Sequence, residues 1–456
     1  MNRVANRSTI ALVLAVILLC GMCVFLAEYV MKAGDWVAAK GSPHVYNGEN
    51  VGCGVVTDRG GEVLLDAAEG RSYADNKDVR MATIHWIGDR DGYISAPAVA
   101  HYAPEMAGYD FVNGVYGYSG VGGTTRMTIS AQVQATALEA LGDKRGVVAV
   151  YNYRTGEILC AVSAPNYDPD NVPQIDEHDD RYEGVYLNRF TQTAYVPGSV
   201  FKLVTAAAAL DMLEDARDLE FRCRGSYEMT GGKVKCTGKH GTIDMAEALE
   251  ESCNCYFAQL TEVLGADTLK RYVDAYQITE PVSFDGITTA GGSFSVEGAS
   301  PQQIAWAGMG QYLDTVNPCR FMTFMGVIAG GGEAACPYII SSSQSGSFGG
   351  YEAETALTGQ LMDPDTAEEL AALMRLSVEN KYGDENFPGL TVCAKSGTAE
   401  VGGDKKPNAT FAGFCTDEDY PLAFFVAVED AGSGAKTCVP IISEVLTDCK
   451  EMMDSE

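Results

Sequence analysis

The chain is poor in positive charge. Its 456 residues hold 32 Lys and Arg against 62 Asp and Glu, a formal net charge of −30. Phosphate backbones are bound by clustered Lys and Arg, so this balance argues against nucleic acid as a partner. Histidine is scarce, with five scattered copies and no H-E-x-x-H, which argues against zinc-dependent hydrolysis. Fixed-period repeats are absent, which excludes solenoids and propellers. Blocks of like charge long enough for a disordered tail are absent too. The acidic stretch 168–180, "DPDNVPQIDEHDD", lacks the Gly and terminal Glu spacing of an EF-hand, so it reads as a solvated loop.

Long apolar runs are also lacking, with one exception. Ile10 to Ala27 is uncharged throughout, "IALVLAVILLCGMCVFLA". Its length is close to the ~20 residues that span a bilayer, and beyond the ~7–15 of a signal-peptide core. Arg3 and Arg7 precede it. The positive-inside rule then predicts a cytoplasmic tail over 1–9, an anchor over 10–31 and an extracytoplasmic body. Leu19 and Met22 precede Cys20 and Cys23, where a lipidation site wants a small residue.

Cysteine is plentiful at 14 copies. The best local disulfide candidate is Cys223 with Cys236, at the ends of "CRGSYEMTGGKVKC", where a Gly-Gly turn would close a hairpin. A zinc reading wants four ligands, commonly in C-x2-C pairs. Neither end supplies such a pair, and "SCNCY" (Cys253, Cys255) has no matching half, so no metal site is expected. The other cysteines sit in apolar runs and read as small buried hydrophobes.

With 456 residues, two or three domains are expected. Residues 32–125 are Gly-rich, and "CGVVTDRGGEVLLDA" (53–67) reads as strand, turn, strand. No well-patterned helix is expected before 128–142, which has Gly142 as its stop. "GVVAVYNYRTGEILCAVSAP" (146–165) and "ATFAGFCTDEDYPLAFFVAVED" (409–430) read as hairpins, apolar on both faces, as in a sheet covered by helices. Helix-rich stretches lie between them at 199–214, 243–263, 300–313 and 365–379. This order predicts an α+β domain with an antiparallel sheet.

In "YVPGSVFKLVTAAAAL" Ser199 stands three residues before Lys202, one helical turn apart. The surrounding apolar run favours a neutral lysine amine, which can take the serine proton without histidine. S-x-x-K alone is weak. A second copy, Ser433 to Lys436, falls in a Gly-rich loop where the two residues need not meet. Two further motifs follow in order. Ser252-Cys253-Asn254 is S-x-N, and Lys395-Ser396-Gly397-Thr398 contains K-[ST]-G, 53 residues after Ser199 and 143 after Ser252 respectively. The ordered triple is that of penicillin-binding proteins and serine β-lactamases.

The chain resembles a small monofunctional class B penicillin-binding protein over roughly residues 30–450. The stretches "VVTDRGGEVLL", "GYDFVNGVYG" (108–117), "SAPNYDPD" and "GMGQ" (308–311) are similar to family segments. The resemblance implies a transpeptidase domain over 126–456, a five-stranded antiparallel sheet flanked by helices, and a pedestal or dimerisation region over 32–125. It also implies an acyl-enzyme on Ser199, with Lys202 as base and Ser252 as proton relay. Asn254 would hold Lys202 and substrate. Lys395 would set the field, and Ser396, Gly397 and Thr398 would bind the terminal carboxylate of a D-Ala-D-Ala stem. Backbone N–H groups of Ser199 and Thr398 would form the oxyanion hole. No cofactor is implied. Peptidoglycan stem peptides, β-lactams, the membrane and a lipid II polymerase are the implied partners. A β-lactamase, a β-lactam sensor and a D,D-carboxypeptidase share the same residues and stay open, as does a role in division, elongation or sporulation. Val196 and Val200 replace the family's usual Pro and Thr, and Cys253 reads as packing; none of these removes a catalytic group.

Overall fold

The computed structural model describes residues 2–42, 45–47, 50–67, 70–110, 115–116, 122–176, 178–344, 350–402 and 406–455. Part of the "GYDFVNGVYG" stretch, 111–114 and 117, lies outside the described residues. Helix α1, Asn2–Val37, includes the apolar run. Within its segment Val4–Lys32 an 18-residue window has a mean hydropathy of 3.1 and is not buried against the protein, so the helix is long and apolar enough to cross a membrane.

The next helix was not expected from sequence. Lys77–Ile87 is capped by the Asn76 side chain, and Gly88 follows its last residue. It buries Val79, Ala82, Ile84, Trp86 and Ile87 and packs on α2, Ala131–Leu141. Two buried faces hide the simple polar/apolar period that marks a surface helix. The Ser130 hydroxyl caps α2, and Gly142 ends it as expected.

Five strands form the central sheet: β1 Gly146–Asn152, β2 Ile158–Ala164, β3 Val392–Ala399, β4 Asn408–Cys415 and β5 Leu422–Val428. Their order is β2-β1-β5-β4-β3, antiparallel throughout. Alternate residues serve two cores. Val147, Ala149, Tyr151, Ala412, Phe414 and Phe425 face one side. Val148, Val150, Phe411, Phe424 and Val426 face the other. The first side shares its core with α3 Lys202–Met212, α4 Asn254–Leu264, α5 Pro318–Ala329 and α6 Pro364–Ser377, of which α5 and α6 lie on the strands. The second is covered by α2 and α7, Gly434–Ser455. Burial of each Phe or Val on these faces contributes about 1.5–3 kcal/mol. β3 lies at the sheet edge.

A second, six-stranded sheet joins Val55–Thr57, Val63–Asp66, Ser72–Tyr73 and Thr124–Met127 to Ile340–Gln344 and Gly350–Glu352. The N-terminal region therefore shares a sheet with residues far beyond 125. The acidic loop is partly pinned rather than solvated: Arg80 Nε donates to Asp168 Oδ1 at 2.6 Å, and Arg90 Nη2 donates to Asp170 Oδ1 at 2.7 Å.

Candidate active site

Three elements converge at the edge of the sheet. Gly198–Phe201 is a single 3-10 turn leading into α3, not the α-helix expected from 199 onward. Side chains at i and i+3 eclipse in such a turn, so Ser199 and Lys202 stand over one another. The Lys202 N–H donates to the Ser199 carbonyl. The turn is wedged against β3. A Cβ on Gly397 would lie 2.2 Å from Thr410 Oγ1 and 2.9 Å from the Pro197 carbonyl, so only glycine lets the strand approach. Gly198, at φ +60, takes the left-handed conformation that starts the turn.

The helix expected over 243–263 is broken in two, Met245–Glu250 and Asn254–Leu264. Ser252 makes the break, at φ +50, a conformation that costs a non-glycine residue of order 1–3 kcal/mol. That strain turns Ser252 and Asn254 toward Lys202. Lys202 Nζ is fully buried and donates to the Ser252 carbonyl at 2.7 Å, Ser252 Oγ at 3.2 Å and Asn254 Oδ1 at 2.7 Å. Asn254 Nδ2 is itself held by the Lys235 carbonyl at 3.1 Å. From β3, Lys395 Nζ reaches the same Ser252 Oγ at 3.2 Å.

Burial, then the charge of Lys395, pulls the Lys202 ammonium down to about 7. Burial alone does the same to Lys395, also to about 7. A lysine poised there serves as a proton acceptor near neutral pH.

The remaining predicted residues divide. Gly397 lies against the Ser199 turn. Ser396 and Thr398 alternate with Lys395 and so point to the other side of the strand. Ser396 Oγ is 2.9 Å from the Tyr382 hydroxyl, and Thr398 Oγ1 accepts from the Gly434 N–H at 3.4 Å. The two hydroxyls thus sit at the sheet edge, apart from the Lys202–Ser252–Lys395 cluster. Tyr382 was not legible in the sequence. Its hydroxyl also accepts from the Ser396 N–H at 2.9 Å, and only the fold brings it there. Residue 433 is exposed, and Lys436 is exposed in the first turn of α7, so the second S-x-x-K lies on a helix start rather than in the expected loop, with Gly434 packed on Gly397 and Thr398 of β3. The expected helix at 300–313 ends at Ala307. Gly310 then accepts from the Gly198 N–H at 3.0 Å, lining the site from a third side.

Cys223 and Cys236 form no disulfide, and all 14 cysteines are free thiols. Spacing alone did not reveal one grouping of side chains. Cys223, Cys236, His240 and Cys253 converge, with all four ligand atoms within 4.8 Å of one another.

The Penicillin binding protein transpeptidase domain matches residues 146–447. Peptidoglycan D,D-transpeptidase PbpA of Mycolicibacterium smegmatis is 29% identical over 339 residues, covering 68% of each chain. Stage V sporulation protein D of Bacillus subtilis is 27% identical over 402 residues, covering 82% of this chain and 59% of that protein. Among solved structures, the penicillin G acyl-enzyme complex of penicillin-binding protein A from M. tuberculosis superposes with a TM-score of 0.75 at 23% identity, covering 87% of this chain and 99% of that one. With two-thirds of its length matched and this sheet and motif order, the chain belongs to the penicillin-binding protein transpeptidase family.

Proposed function

We propose that the chain is a membrane-anchored peptidoglycan D,D-transpeptidase, acylated on Ser199 and inhibited covalently by β-lactams. The observation that carries this reading is the burial of Lys202 between Ser252 and Asn254, with its pKa drawn to about 7 beside Lys395. Lys202, when neutral, takes the Ser199 Oγ–H proton as the oxygen attacks the penultimate D-Ala carbonyl. N–H groups at the Ser199 turn and at Thr398 on the edge strand stabilise the oxyanion. Ser252, hydrogen-bonded by both lysines, passes a proton to the departing D-Ala amine. An amine from a neighbouring stem then attacks the ester, loses its proton through the same relay, and frees Ser199. The substrate strand lies along the open edge of β3. Helix α1 crosses the membrane, with Arg3 and Arg7 on the cytoplasmic side. A lipid II polymerase in the same membrane supplies nascent strands.

The test is to incubate the full chain in detergent with freshly polymerised glycan strands and to count cross-linked muropeptides. Dimers that disappear after penicillin support the reading. Release of D-Ala without dimers makes the enzyme a carboxypeptidase, and rapid nitrocefin turnover makes it a β-lactamase.

A further inference from the structure

Tyr382 touches the K-S-G motif and takes no part in the proton transfers described above. It closes a single π turn, Val378–Tyr382, that continues α6. Turns of this kind are rare and frequently mark functional sites. Gly383, at φ +82, ends it. Neighbouring residues of the turn are tied to the segment just before the break at Ser252. Asn380 Nδ2 donates to Glu250 Oε1 at 2.7 Å, and Lys381 pairs with Glu251. The Tyr382 ring packs edge-on against Phe411 of β4, with 5.2 Å between centroids, and only 8% of the residue is exposed. Packing and anchors together hold its hydroxyl in one place.

That hydroxyl meets the open edge of β3. In an antiparallel ladder a residue turns both its N–H and its C=O toward one neighbouring strand, and the next residue turns both the other way. Ser396 stands opposite Phe411 of β4. Its N–H donates to the Tyr382 hydroxyl at 2.9 Å, and its C=O accepts from Lys395 Nζ at 2.8 Å. Both main-chain groups of Ser396 therefore face away from β4, and side chains already occupy them. Thr398, two residues on, turns its N–H and C=O to the same edge.

A substrate strand added to that edge has a fixed register. Its acyl carbonyl must reach the Thr398 N–H. In an antiparallel pairing the same residue then donates its own N–H to the Thr398 C=O. The leaving residue falls opposite Gly397. A further residue would fall opposite Ser396, and its carbonyl oxygen would need the position that the Tyr382 hydroxyl holds.

We infer that Tyr382 is a specificity-determining residue: it closes the β3 edge one residue past the leaving group and so excludes stems extended beyond it. This rests on the acyl-enzyme reading proposed above. A chain that ends at the leaving residue asks nothing of the Ser396 main chain. A longer chain meets both a clash and two edge groups already in use, which is exclusion by a repulsive element.

The experiment uses two thioester probes on the full chain in detergent. Both carry an N-acetyl-D-alanyl group on sulfur. One leaves as thioglycolate, the other as thioglycolyl-glycine, one residue longer. Ser199 Oγ attacks the thioester carbonyl, the C–S bond breaks, and the departing thiolate receives the serine proton through Lys202 and Ser252. The acyl-enzyme is the same from either probe, so the rate at which its intact-mass adduct appears reads the leaving group alone. The wild-type chain should acylate at least about 10²-fold faster with the short probe, from two lost edge bonds and the clash. Tyr382→Leu keeps an apolar contact with Phe411 but falls short of Ser396, and should narrow that ratio by about tenfold or more. Tyr382→Phe leaves the ring in the way and should keep the wild-type ratio. A merely structural role would slow both probes alike and leave the ratio where it was. Equal rates in the wild-type chain, or an unchanged ratio in Tyr382→Leu, overturns the inference while the Ser199 adduct stands. If Tyr382→Leu folds poorly, the wild-type ratio decides. A chain that neither probe nor penicillin modifies at Ser199 sinks the acyl-enzyme reading, and this inference with it.

Discussion

Acylation should quicken about tenfold between pH 6 and pH 8, because only neutral Lys202 can accept the Ser199 proton. Burial first, and Lys395 second, move its midpoint from 10.5 to about 7. At that midpoint the neutral fraction is about 0.09 at pH 6 and about 0.91 at pH 8. The sign follows directly: acid protonates the base, so the rate falls about tenfold per pH unit below the midpoint. An unshifted lysine would be only about 0.003 neutral at pH 8 and its rate would still climb at pH 10. The shift corresponds to roughly 5 kcal/mol favouring the neutral amine. Lys395 titrates in the same range and shares Ser252 Oγ, so the pair loses its protons in two macroscopic steps. Lys395→Met removes one positive charge and should move the remaining midpoint to higher pH. The assay is the second-order rate of labelling by fluorescent penicillin, from pH 5.5 to 9.5, on the full chain in detergent. A flat profile from pH 6 to 8, or a midpoint unmoved or lowered in Lys395→Met, would refute the assignment of Lys202 as base.

Other variants separate structure from chemistry. Gly397→Ala forces the Ser199 turn off β3 and should cut acylation by about 10²-fold with the fold retained by circular dichroism. Ser252→Gly relieves the φ +50 conformation, so thermal unfolding should show the protein unchanged or up to about 1 kcal/mol more stable, while acylation drops by more than about 10²-fold because both lysines lose their shared hydroxyl. Tyr382→Phe leaves the Ser396 N–H without its acceptor and should lower stability by about 1–3 kcal/mol in chemical denaturation. Ser433→Ala should leave labelling untouched.

The sequence announced what local pattern can encode. Both hairpins of the central sheet were readable because their strands are short apolar runs split by polar turns, and both appear at the expected places. The S-x-x-K, S-x-N and K-S-G residues were readable as a set because their order is improbable by chance. What escaped is non-local. The strand Ile340–Gln344 pairs with Thr124–Met127 across more than 200 residues, and nothing in either segment names its partner. The break at Ser252 depends on a strained backbone angle that "ESCNCY" does not advertise. Helix α7 carries Pro440 inside it and begins in a glycine-rich stretch, both of which argue locally against a helix. Its buried Cys438, Ile442, Val445 and Leu446 against the sheet override them. The convergence of Cys223, Cys236, His240 and Cys253 was hidden for the same reason: one gap crosses the hairpin 226–235 and another the helix Met245–Glu250.

The most direct measurement of the central claim is a time course of intact mass after penicillin exposure. A single adduct per chain should form, map to Ser199 and persist, and it should be absent in Ser199→Ala. An adduct of equal yield in Ser199→Ala, or none on the wild-type chain, would contradict the account.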